Sequence, residues 1–322
     1  MSLISHPLIV LLLSLAGLAT VPGDARAAFS VGISDQKLGM WHDPRFEALG
    51  IRQVRLIMAY DLVLKGDFTR YDAWMAAADA RGSEVLVAIN HSTTSHTALP
   101  SVARYRQVIR RIRARYPQVE TMSAWNEANH HTQPTHRNPR RAAEYYNALR
   151  EECRGCRIVA ADVLDQSNMA PWVATFKRHA RQPKLWGLHN YADANRFRPL
   201  KAGGTAQLLK LVKGEVWLTE AGGIVQFGRS YRGGRAGELR AARATTQTFK
   251  LARSSSRIRR VYLYHWDAET QFKTWDSGLV DAAGRARPAL EVLRLEVNRQ
   301  RRTRSLPSIP ALPSRLPAVP TV

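Results

Sequence analysis

Eight short apolar runs, each followed by a segment of helical pattern, set the tightest limit on how this chain can fold. The runs are Phe29–Ser34, Val54–Met58, Val85–Ile89, Met122–Trp125, Ile158–Val163, Leu185–Leu188, Val216–Leu218 and Val261–Tyr264. Strands this apolar on both faces suit a parallel sheet covered by helices. Helical patterns alternate with them, among them Asp67–Arg81, Ser101–Tyr116, Pro139–Glu152, Gly237–Ala252 and Pro288–Asn298, and several stop at Gly or Pro. Strict alternation means βα units, and eight of them in about 270 residues predict an α/β fold, a single-domain (β/α)8 TIM barrel over residues 28–298. A doubly wound open sheet is the alternative. Its glycine-rich first turn does not follow Phe29–Ser34.

The chain ends lie outside that pattern. His6–Val21 is uncharged and apolar, and Ala25-Arg26-Ala27 places small residues at the minus-three and minus-one positions. Residues 1–27 therefore read as a secretory signal, and the protein as secreted or extracytoplasmic. From Arg299 the chain is basic and then Pro-rich, which predicts a disordered tail over 299–322. Export favours a local disulfide between Cys153 and Cys156, on the rim opposite the carboxyl ends of the strands.

The net charge of +22 invites a nucleic-acid reading. The excess is mostly Arg and spread along the chain, and its densest cluster, Arg104–Arg115, alternates with Tyr105, Val108, Ile109 and Ile112 as the polar face of an amphipathic helix does. No nucleic-acid partner is expected. The same charge favours weak electrostatic contact with anionic cell-envelope polymers.

The polar residues gather at strand ends. Arg55 lies within the second strand, Asn90 and His91 follow the third, and Asn126-Glu127 end the fourth. Asp162 and Asp165 flank the end of the fifth, and His189 and Tyr191 follow the sixth. Glu220 ends the seventh, and Trp266-Asp267 follow the eighth. In a barrel these ends converge on one face, where active sites are built. Two carboxylates there are the equipment of glycosidic bond cleavage. Each residue also has a plain structural reading, such as a capping Asp or a core Trp. All of them falling at the same strand ends by accident is the weaker explanation.

With these residues in view, the chain resembles the clan A glycoside hydrolases, retaining enzymes on a (β/α)8 barrel. In that clan Asn-Glu ends the fourth strand and Glu the seventh, here Asn126-Glu127 and Glu220. Arg55, His189, Tyr191 and Trp266 match other recurrent positions. The clan's usual Asn-Glu-Pro is Asn126-Glu127-Ala128 here, and the family within the clan is not fixed.

The resemblance implies a glycosidase cleaving β-linked glycans. Glu220 would be the nucleophile, and Glu127 the acid/base, its pKa raised partly by Glu220. Arg55, Asn90, His91, Asn126, His189, Tyr191 and Trp266 would bind substrate or support the pair, with Trp266 stacking under a sugar. No metal or cofactor is implied. The alternative is a glycan-binding protein on an inactive barrel, which would not need both Glu127 and Glu220.

Overall fold

The structure, a computed structural model, describes residues 29–268 and 275–305. The segment read as a secretory signal lies outside the described residues. The barrel strands are β1 (Ser30–Ser34), β2 (Gln53–Ala59), β3 (Glu84–Asn90), β4 (Thr121–Ser123), β5, β6 (Leu185–His189), β7 (Glu215–Ala221) and β8 (Ile258–Tyr264). β5 comes in two pieces, Arg157–Val159 and Asp162–Leu164. The first pairs with β4 and the second with β6, all in parallel. Ala160 and Ala161 carry the join through hydrogen bonds with Leu185 and Gly187 of β6. β8 pairs with β1 and β7. The eight strands thus form one parallel ring, as the alternating pattern predicts.

Two layers of packing hold the ring. A large apolar cluster lies between the strands and the helices outside them. A smaller one, Leu86, Val159, Leu185, Trp217 and Tyr262, takes one residue from each of five strands and fills the barrel's interior. Gly32 makes room for it, since a Cβ there would lie 2.7 Å from the Tyr262 ring. The last helix corrects one expectation. It runs from Pro288 to Ser305, past the Asn298 boundary and into the residues read as tail. Glu296, buried on this helix, pairs with Arg253 and with Arg299, so Arg299, just past Asn298, joins an ion-pair cluster around a buried carboxylate. The rest of the Pro-rich tail lies outside the described residues.

Cys153 and Cys156 form a disulfide in the turn that leads into β5, at the amino-terminal rim of the barrel.

Candidate active site

The carboxyl ends of the strands bring Arg55 to the centre of a buried polar network. Arg55 is fully buried in β2. One guanidinium nitrogen, Nη1, donates to Glu220 Oε2 at 2.9 Å and to Ser34 Oγ at 3.1 Å. The other, Nη2, donates to Asn126 Oδ1 at 2.6 Å and Asp162 Oδ2 at 2.9 Å. Burial alone would lower the Arg55 pKa, and the charges of Asp162 and Glu220 outweigh it and raise it. One rigid fork therefore ties together β1, β2, β5, β7 and the segment after β4.

Glu220 reaches this network through an irregularity in β7. Successive residues of a strand normally face opposite sides. Here the pairing with β6 shifts between Gly187 and His189, which lie opposite Trp217 and Glu220. The shift lets consecutive side chains turn the same way. Thr219 donates to Asp162 Oδ1 at 2.8 Å, and Glu220 meets Arg55. Such bulges commonly re-aim a side chain beside an active site. Tyr191, on the short helix Tyr191–Asn195 after β6, donates its hydroxyl to Glu220 Oε1 at 3.0 Å. Burial, followed by the charge of Glu220, holds the Tyr191 hydroxyl well above its ordinary pKa, so it stays a donor.

Glu127 is placed by backbone geometry. Asn126 N–H donates to Ile89 O and Ala128 N–H to Asp162 O, both at 2.8 Å, which tacks the chain after β4 to its neighbours. Between them Glu127 adopts φ 48°, a left-handed conformation that non-glycine residues avoid. The polar segment 130–139 supports this turn. Gln133 accepts from the Trp125 indole at 3.0 Å, and Thr135 donates to Ala128 O at 2.8 Å.

Glu127 Oε1 lies 3.2 Å from His189 Nδ1. Arg55 Nη2 stands 3.4 Å from the other ring nitrogen, Nε2. A guanidinium only donates, so Nε2 accepts and Nδ1 is the donor to Glu127. This corrects the expectation of a raised Glu127 pKa. Burial does push it up, but the hydrogen bond from His189 and the nearby Arg55 charge outweigh burial and leave it lowered.

Oxygens of Glu127 and Glu220 and a ring nitrogen of His189 all lie within 4.8 Å of one another. Such a trio can in principle hold a cation. Arg55 already occupies Glu220 Oε2 and repels one, which favours a pair of working carboxylates over a metal site. The pair opens on a cavity of about 570 Å³, within the usual size of a ligand pocket.

Residues 87–292, more than half of the chain, match the family model described as glycosyl hydrolase catalytic core. The chain belongs to that family. No curated protein sequence matches it. Among solved structures, it is similar to GH5_18 from Streptomyces cattleya in complex with GlcNAc, at 18% identity and TM-score 0.61, over 86% of this chain and 81% of that one. It is also similar to xylanase 10B from Thermotoga maritima, at 12% identity and TM-score 0.59, over 85% and 97%. A third is the intracellular xylanase TsXylA of Thermoanaerobacterium saccharolyticum, at 13% identity and TM-score 0.60, over 83% and 95%. The expected glycoside hydrolase and the TIM-barrel fold are both borne out.

Within this glycosyl hydrolase, the nine residues expected at the site divide. Glu127, Glu220, Asn126 and Tyr191 line the cavity. Arg55 and His189 lie behind them, fully buried, and hold the two carboxylates rather than a substrate. Trp266 is a correction. It is fully buried, packs edge-on against Phe46 at 5.3 Å and donates its indole N–H to Asp43 at 2.9 Å. It lies two residues past the end of β8, where the strand no longer dictates direction, and it faces the helical layer. Asn90 and His91 also stand aside from the cavity. His91 turns into its own loop, with Nδ1 2.8 Å from Ser92 O and its ring against His96.

The aromatic wall comes instead from Tyr264, Trp275, Phe227 and Tyr231. Trp275 packs edge-on against Tyr191 at 5.1 Å and Phe227 at 5.0 Å. It reaches the cavity on a two-stranded antiparallel ribbon, Gln226–Phe227 with Trp275–Asp276. The sequence signal for this wall was faint: aromatics in the loops after β7 and β8, with no periodicity to point them inward.

Proposed function

We propose that this glycoside hydrolase is an exported, retaining enzyme that cleaves β-linked glycans by double displacement. The observation that supports it best is the approach of Glu127 and Glu220 oxygens to within 4.8 Å. Retaining pairs stand roughly 5–5.5 Å apart and inverting pairs roughly 6.5–9.5 Å, because inversion must fit a water between them. With their nearest oxygens this close, the two carboxyl groups lean to the narrower range, which suits direct attack on a sugar carbon.

In the first step Glu220 attacks the anomeric carbon as Glu127 protonates the departing glycosidic oxygen. Arg55 and Tyr191 hold Glu220 ionised and aimed. In the second step Glu127 removes a proton from water, the water attacks the same carbon, and Glu220 departs as carboxylate. Asn126, fixed by Arg55, presents its amide beside the pair, where it can bind the sugar 2-hydroxyl. Tyr264 and Trp275 offer ring faces and edges to a sugar. A β-linkage is supported by the similarly folded Streptomyces cattleya enzyme, a variant of which was solved with Manb1-4GlcNAc. Export is supported by His6–Val21 and the Ala25-Arg26-Ala27 motif. It predicts a mature amino terminus at Ala28, readable by terminal sequencing of the exported protein.

The decisive test combines product stereochemistry with two variants. Proton NMR of early product from a cleaved β-glycan should show the β-anomer. Glu220→Ala should abolish turnover of every substrate. Glu127→Ala should slow substrates with poor leaving groups most, and azide should rescue activated substrates as the β-glycosyl azide. An inverted product, or full activity in either variant, would overturn the reading.

A further inference from the structure

A second cavity of about 1280 Å³ lies at the other end of the barrel, where β5, β6, β7 and β8 begin. Arg150, Arg157, Arg181, Lys184, Arg257 and Arg259 line it against a single carboxylate, Glu215. Glu215 and Glu220 stand at opposite ends of β7, so the two cavities are separated by about 17 Å of strand at ~3.3 Å per residue.

Some of these cations are already committed. Arg257 donates to the carbonyls of Leu209, Val212 and Gly214. Arg157 pairs with Glu215 and Arg181 with Glu151. Lys184 and Arg259 are exposed and have no side-chain partner among the described residues. Uncharged hydrogen-bonding groups sit among the charges. Ser256 and Gln182 line the same basin, and Gln182 holds φ 46°, another left-handed conformation on a non-glycine residue.

We propose that this basin is a second binding site, for an acidic polysaccharide, separate from the active-site cavity. Its volume exceeds the roughly 300–1,000 Å³ usual for small ligands, which fits a stretch of polymer. Uncommitted cations beside neutral amide and hydroxyl groups match a chain that alternates carboxylates with hydroxyls. Single-stranded nucleic acid fits less well, because it needs open aromatic faces for stacking. The one tyrosine lining the basin, Tyr146, has its ring covered by the Arg150 guanidinium at 5.7 Å. The site would hold the enzyme on an acidic polymer while the opposite face stays free to cleave.

The test is binding of the full chain to immobilised polygalacturonate, with salt titration. Lys184→Gln/Arg259→Gln should weaken binding about fivefold or more and flatten its salt dependence. Charge reversal, Lys184→Glu/Arg259→Glu, should abolish it. Arg70→Gln/Arg104→Gln removes the same charge from exposed positions elsewhere and should change affinity less than about twofold. Equal losses in the basin and control variants would reduce the effect to net charge and overturn the site. So would absence of wild-type binding, and equal or tighter binding of polyglutamate or single-stranded DNA would overturn the polysaccharide assignment. Hydrolysis of a soluble neutral oligosaccharide should be unchanged in the basin variants, and its loss would also count against a separate site.

Discussion

At the scale of single residues, the site is built on one buried cation serving several acceptors. Arg55 fixes Glu220, Asn126 and Asp162 together, while Glu127 answers to His189. That division sets a pH prediction. His189 donates to Glu127 and lowers its pKa. Removing the donor in His189→Leu should raise it, because the charged form loses a favourable partner while burial remains. The acid in the reaction is the protonated form, so the alkaline limb of kcat/KM should move to higher pH, by about one pH unit. The wild-type optimum should lie on the acid side of neutrality. A pH–rate profile of the variant with an unchanged alkaline limb would show that His189 does not set the state of Glu127. The two carboxylates and Arg55 were legible in the sequence because each interrupts or ends an apolar run, where an ionisable group needs a partner. The sign of the Glu127 shift was not. It depends on His189, which lies 62 positions away and is joined to Glu127 only by the barrel.

At the scale of elements, legibility follows how far a residue lies from a regular strand. Tyr191 comes two residues after β6 and is held in the site by a short helix. Trp266 comes two residues after β8 and is held in the core by Phe46 and Asp43. Both look alike in sequence, and only tertiary packing separates them. The consequence is a paired prediction. Trp266→Ala should cost about 3–5 kcal/mol of stability, as for a buried tryptophan, with the KM of the surviving folded enzyme little changed. Trp275→Ala, on the half-buried ribbon, should raise KM several-fold and move the melting temperature little. Denaturant unfolding and steady-state kinetics on both variants would decide between the assignments. The disulfide belongs to this scale too. It closes a loop with a sequence separation of 3, so chain entropy limits its contribution to about 2 kcal/mol. Cys153→Ser should lower the unfolding free energy by no more than that, and leave kcat unaltered because the active-site cavity lies at the other ends of the strands. Loss of kcat in a folded Cys153→Ser protein would contradict this.

At the scale of the whole molecule, the barrel is closed twice: by the pairing of β8 with β1, and by the last helix. Pro288–Ser305 packs beside the long helix Gly234–Arg253 and returns to the start of the barrel, where Arg301 donates to the carbonyl of Leu49. Glu296 is buried on the inner side of this helix and shared by Arg253, Arg299 and Gln300. Composition alone assigned residues after Asn298 to a tail, because Arg-rich segments without apolar period resemble solvated chain. Their task here is to neutralise a buried carboxylate and to bridge the last helix to the first turns, neither of which periodicity reports. A chain ending at Asn298 would lose Arg299, Gln300 and Arg301 while keeping Glu296. One chain ending at Ser305 would keep them all. Hydrogen bonds to charged groups contribute about 1.5–3 kcal/mol each when buried and less when half-exposed. The shorter chain should therefore be less stable by about 1–3 kcal/mol, and at fixed ionic strength should melt several degrees below the longer one. Glu296→Gln in the shorter chain should lower stability further, since Arg253 would lose its carboxylate partner. Equal melting temperatures for the two chains would show that the helix beyond Asn298 adds nothing to the closure.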